Sequence, residues 1–119
     1  MSIILNGTTG ITFDNGSAQD VGSVGTGGQT WQDLTASRIS GNTYTNSTGK
    51  PIMVAVTGTR SNDVSRLSMT INGLAVGSAW SGTSASTEQR AFMSIIVPNG
   101  STYTAQALTG SIFSWYELR

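Results

Sequence analysis

Cysteine and histidine are both absent from this 119-residue chain. Without cysteine there is no disulfide, no thiolate nucleophile and no thiolate metal site. Without histidine the chain lacks the commonest general base near neutral pH, every imidazole zinc site and every His-dependent triad. Charge is nearly as scarce: six basic and six acidic side chains cancel, leaving no overall field to draw the protein to nucleic acid or to an anionic lipid surface. No apolar run approaches the roughly 18 residues of a membrane-spanning helix, and no basic stretch followed by an apolar one opens the chain as in a signal peptide. Synthesis in a cytoplasm without membrane insertion is the expectation.

What fills the space instead is small and polar. Seventeen Ser, 17 Thr, 15 Gly and seven Asn make 56 of the 119 residues, a composition suited to short strands joined by many turns. The first such turns are two Asn-Gly pairs, Asn6-Gly7 and Asn15-Gly16. Both residue types tolerate the positive φ of a type I′ hairpin turn, so the leader is expected to fold as short strands. Four glycines between Gln19 and Thr30 then suggest a joint. The expected division is residues 1–29 as a turn-rich attachment or trimerisation segment with its linker, and 30–119 as the main domain.

Period-2 alternation recurs from Thr30 onward. A strand is expected from Trp31 toward Ser40, a short one at Thr43-Tyr44-Thr45, and the clearest at Ile52–Thr57, with Ile52, Val54 and Val56 facing the core. Arg66–Ile71 alternates strictly, reaches Asn72-Gly73 and returns as Leu74-Ala75-Val76, the best hairpin in the chain. Gly77–Gln89 is expected to be a long loop carrying Trp80. Strands follow at Arg90–Val97, Ser101–Leu108 and Gly110–Arg119. The last, taken at strict period 2, puts Phe113 and Trp115 on one face and Ile112, Tyr116 and Leu118 on the other. No window holds an apolar period near 3.6, so the fold class is all-β, an antiparallel β-sandwich of jelly-roll-like kind. Nine Ile, seven Val, six Leu and nine aromatics supply a modest core, and a domain this small gains from burying surface against further copies.

Candidate chemistry is thin. Asp14, Asn15, Ser17 and Asp20 offer closely spaced oxygens but not the register of a calcium loop, and read better as turn residues. Asp63, Glu88 and Glu117 are the main-domain carboxylates a glycosidase would need in a close pair, and surface solubility is the better account of them. Gly25–Gly28 and Gly49-Lys50 do not fit a phosphate loop. The sequons at Asn6, Asn15, Asn46 and Asn99 read as turns. No catalytic residue, cofactor or metal is expected. Trp31, Trp80 and Tyr103 are the candidate exposed aromatics, although Trp31, like Trp115, reads better as core or interface. An indole among small hydroxyl side chains can stack on the C–H face of a pyranose, which makes Trp80, Ser81, Arg90 and Tyr103 the candidate ligand-binding set. Folding of the Trp80 ring over the end of the sandwich is an equal alternative.

The segments "GQTWQDLTASRISGNTYTNSTGKPIMVAV" (28–56), "VPNGSTYTAQ" (97–106) and "SWYELR" (114–119), with the leader "LNGTTGITFDNGS", resemble the distal, C-terminal domain of tailed-bacteriophage and prophage tail-fibre proteins. The resemblance implies a homotrimeric β-sandwich at an exposed tip of the virion, made in the bacterial cytoplasm and, in some members, touching a host receptor. It transfers no functional residue. The function so implied is that of a non-enzymatic virion protein at a fibre tip, recognising host-surface glycan and joined to other virion proteins through its N-terminal segment. A capsid decoration protein is the alternative, and a polysaccharide depolymerase the weakest reading.

Overall fold

A computed structural model describes the backbone at residues 4–6, 10–12 and 18–19 and, with side chains, residues 24, 28–62, 64–82 and 89–119. Every regular element among them is a strand, and no helix occurs. Strands β1 (Ile4–Asn6), β2 (Gly10–Thr12) and β3 (Ala18–Gln19) form a small antiparallel sheet in that order. Asn6 pairs with Gly10. The first hairpin therefore exists, but Asn6 sits in a strand, and the connection at 7–9 lies outside the described residues. So does the second Asn-Gly pair.

The remaining eight strands are β4 (Trp31–Asp33), β5 (Thr43–Thr45), β6 (Ile52–Gly58), β7 (Ser65–Ile71), β8 (Leu74–Ser81), β9 (Phe92–Val97), β10 (Thr102–Thr109) and β11 (Ile112–Leu118). They build two antiparallel four-stranded sheets, ordered β4-β11-β6-β9 and β5-β10-β7-β8. The pairing is nested: β7 with β8, β6 with β9, β5 with β10 and β4 with β11. One long antiparallel ribbon, folded at residues 72–73, is thus wrapped so that successive strands of each arm fall in alternate sheets. At that fold Asn72 and Gly73 hold φ of 50° and 77°, the positive pair a type I′ turn requires. The Asn72 N–H also donates to the Thr102 carbonyl, and its Oδ1 accepts from the Thr102 N–H at 2.9 Å, tying the turn to β10.

Both sheets turn apolar residues toward one core. Ile52, Val54 and Val56 of β6, Val97 of β9 and Trp115 of β11 meet Leu67 and Met69 of β7 and Tyr103 and Ala105 of β10. Large apolar side chains buried this fully contribute about 1.5–3 kcal/mol each. Asn46 fastens the neighbouring turns. Fully buried, it donates through Nδ2 to the carbonyls of Lys50 and Val97 and accepts at Oδ1 from the Thr48 N–H and hydroxyl. Asn46 is accordingly a turn residue, and Asn99 likewise accepts from the Gly49 N–H.

Three sequence expectations need correction. The strand from Trp31 stops at Asp33, because the Asp33 carboxylate accepts from both the N–H and the hydroxyl of Thr35 and turns the chain. Residues 77–81 are not loop but the second half of β8. In β11 a β-bulge separates Ile112 from Ser114, leaving Phe113 without a partner position on β6. Beyond it the parity changes, so Ile112 and Trp115 pack inward while Phe113 is exposed.

Candidate functional site

The strand registers place the paired outward side chains of the eight-stranded body in rows. On the sheet β4-β11-β6-β9, one row across all four strands reads Trp31, Leu118, Met53, Ile96. The next reads Asp33, Tyr116, Ala55, Ser94, and the third Ser114, Thr57, Phe92. Seven of these eleven positions are apolar or aromatic, and Trp31, Tyr116, Phe92 and Ile96 are each at least 40% exposed. The bulge residue Phe113 is also exposed, with the Arg90 guanidinium 3.6 Å above its ring.

The opposite sheet has the same geometry and another chemistry. Its rows read Thr45 and Thr102; then Thr43, Thr104, Thr70, Ala75; then Gln106, Ser68, Ser78; then Thr109, Arg66, Trp80. Thr43 and Thr104 share a hydrogen bond between hydroxyls at 3.0 Å. Within these rows only Ala75 and Trp80 break the run of hydroxyl, amide and guanidinium groups, and the bulge residues Val76 and Leu108, which fall in no row, are exposed as well. Trp80 is 64% exposed, at the edge strand of this sheet and directly opposite Arg66.

Between the sheets lies a buried charge that the sequence reading assigned to the surface. Glu117 of β11 is fully buried. Its Oε1 accepts from the Tyr103 hydroxyl at 2.7 Å, from Trp115 Nε1 at 3.0 Å and from Arg38 Nε at 3.0 Å. Its Oε2 accepts from Arg38 Nη2 at 3.3 Å and faces Arg119 Nε at 3.4 Å. Tyr44 completes the cluster, its ring under the Arg38 guanidinium at 4.3 Å and edge-on to Trp115. Burial opposes the charge on Glu117, but hydrogen bonds from Arg38, Tyr103 and Trp115 and the Arg38 charge outweigh it, holding the carboxyl below its ordinary range. The Tyr103 hydroxyl is pushed up to about 12 by burial and by the adjacent carboxylate. A carboxylate holding this many donors is a structural pin between β10, β11 and the loop that carries Arg38. Trp115, two residues away, shares the strand face with Glu117, but Tyr103 and Arg38 lie 14 and 79 residues away, so no local spacing announces them.

The four residues grouped from sequence are therefore dispersed. Trp80 is on the hydroxyl-rich face. Ser81 is buried, accepting from the Ser65 N–H and donating to the Gln89 carbonyl. Arg90 lies against Phe113. Tyr103 is a core residue with its hydroxyl on Glu117, so its ring is closed to any sugar. Trp31, read as core or interface, is 52% exposed in the single chain, whereas Trp115 is core. Asp14, Asn15, Ser17, Asp20, Asp63 and Glu88 lie outside the described residues, among which no three His, Cys, Asp or Glu side chains gather as a metal site would require. The missed neighbour of Trp80 is Arg66, whose signal was the hairpin itself: counting back from Asn72-Gly73 brings the two close to register. The sequence matches no protein-family model and no curated protein.

Proposed function

We propose that this chain is a non-catalytic structural protein of a tailed-phage virion, assembling as a homotrimer at a tail-fibre tip and presenting a polar surface to host glycan. The observation that carries the proposal is the outer face of the β4-β11-β6-β9 sheet, where Trp31, Leu118, Met53, Ile96, Tyr116, Ala55 and Phe92 lie side by side. A contiguous apolar sheet face costs free energy in water and is relieved by covering it. Further copies of the same chain are the cover consistent with the family resemblance. The nested strand pairing supports a jelly roll, an architecture shared by viral shell and lectin domains. Residues 1–29 act in this reading as the attachment segment.

Light scattering on the purified protein tests the assembly: the expected mass is three times the 12.4 kDa of one chain, and a single-chain mass overturns it. Electron cryomicroscopy of the particle tests the position. Density at the fibre tip is expected, and density on the capsid would make the protein a decoration subunit.

A further inference from the structure

We infer that Trp80 and Arg66 form a carbohydrate subsite for a pyranose bearing an anionic group, on the outer face of the β5-β10-β7-β8 sheet. The inference rests on the glycan-directed part of the proposed function and gives it a place and a ligand class. Trp80 is carried by a strand, not a loop, and its indole is 64% exposed. Arg66 stands directly opposite it on β7 and is exposed as well. Facing side chains of neighbouring strands have Cβ atoms about 4.5–5.5 Å apart, close to the width of one sugar ring.

The surroundings select the ligand. The row beside the pair holds Ser78, Ser68 and Gln106, about 6.7 Å further along the strands, so a sugar stacked on the indole meets hydroxyl and amide partners at its rim. Thr109 continues the row on the far side of Arg66. Within these rows an apolar protein segment would find one large apolar side chain, Trp80, among groups that prefer water, since the exposed Val76 and Leu108 sit in bulges outside them. A pyranose matches both halves, its C–H face to the ring and its hydroxyls to the rim. The guanidinium adds a planar fork suited to a carboxylate or phosphate, which separates acidic from neutral sugars. Among the described residues the cation–π contacts are Arg38 on Tyr44 and Arg90 on Phe113, so Arg66 does not cover the indole.

Titration of the ¹⁵N-labelled full chain with oligogalacturonate and with a neutral glucose oligomer of equal length tests the site, read at the three Trp indole resonances. The Trp80 signal, assigned by its loss in Trp80→Phe, is expected to shift with both oligomers and to saturate at least fivefold lower with the acidic one. Arg66→Gln is expected to abolish that preference, and Trp80→Ala to weaken binding at least tenfold while leaving solution mass and spectrum otherwise unchanged. No shift of Trp80 with either oligomer overturns the subsite while leaving the mass and the particle position, and with them the structural role, intact. Equal binding of both oligomers, unaffected by Arg66→Gln, overturns the anionic preference. A shift confined to the Trp31 indole overturns the subsite and also puts a ligand on the face assigned to assembly.

Discussion

The two outer sheet faces share strand number, antiparallel pairing and register, yet one is lined with Trp31, Leu118, Met53, Ile96 and Tyr116 and the other with Thr43, Thr104, Thr70, Ser68 and Ser78. Strand geometry supplies two sides to every strand, and the core claims one of each. What occupies the other side does little for the single chain, because it stays in water. The difference therefore reports on surroundings: a Thr-lined sheet is at ease in solvent, while an apolar one is at ease only when covered.

The comparison presupposes that both sheets hang on one ribbon and one buried pin, and the largest effects come from cutting either. Asn72→Pro removes the N–H bonded to Thr102 and forbids the positive φ of the central turn, so the chain is expected not to fold, as seen by loss of the cooperative melting transition. Glu117→Leu leaves Arg38, Tyr103 and Trp115 facing an apolar side chain. Loss of one partner of a buried ion pair costs about 3–5 kcal/mol, or roughly 12–20 °C in melting temperature for a domain of this size. The same pin sets an acid limit. The folded-state pKa of Glu117 lies below its unfolded value of about 4.3, so its contribution is complete above that pH and disappears as pH falls through the lowered value. Stability measured by denaturant titration is expected to decline below about pH 4 in the wild type. In Glu117→Gln that acid-dependent step is expected to be smaller. At the other limit the raised pKa of Tyr103 means its contribution holds below about pH 10 and is lost as pH climbs toward about 12.

How much of this was legible follows from how far each signal travels along the chain. The short strand at 43–45, Ile52–Thr57 with its inward Ile52, Val54 and Val56, and the 66–76 hairpin were legible because unbroken alternation and Asn-Gly are local. The far half of β8 was hidden because Gly77, Ser78, Ala79 and Ser81 are small residues that also suit loops. Ile112 and Phe113 were put on the wrong faces of β11, while Trp115, Tyr116 and Leu118 were placed correctly, because a bulge adds one residue and inverts the parity on one side of it, a change period-2 counting cannot register. Bulges also leave Val76 and Leu108 without partner positions and exposed. Of the candidate site only Trp80 was legible. Its partner Arg66 needed the hairpin register carried across six residue pairs and a bulge, and the burial of Glu117 needed the fold.

A direct contrast of the two faces uses one substitution on each. Ala55 lies at the centre of the apolar face, between Tyr116 and Ser94. Placing an unpaired charge in a buried contact costs about 3–5 kcal/mol, which corresponds to roughly 100-fold or more weaker association. Ala55→Glu is expected to lower the scattering mass to that of one chain with melting still cooperative. Thr104→Glu, at the matching place on the hydroxyl face, is expected to leave the mass unchanged. If the wild type is trimeric and Ala55→Glu remains so, another surface holds the copies together.

The smallest effect tests whether the hydroxyl face contributes to folding at all. Thr104 shares its hydroxyl with Thr43 across β5 and β10, but the bond is exposed. An exposed bond of this kind exchanges a water partner for a protein one, and surface substitutions away from special features stay within about 0.5 kcal/mol. Valine keeps the β-branched shape and strand preference of threonine, so Thr104→Val removes the hydroxyl and little else. A melting shift of no more than about 2 °C is expected. A larger fall would mean that the hydroxyl rows hold the sheet together as the apolar rows hold the core, and the contrast between a face made for solvent and a face made for a partner would lose its basis.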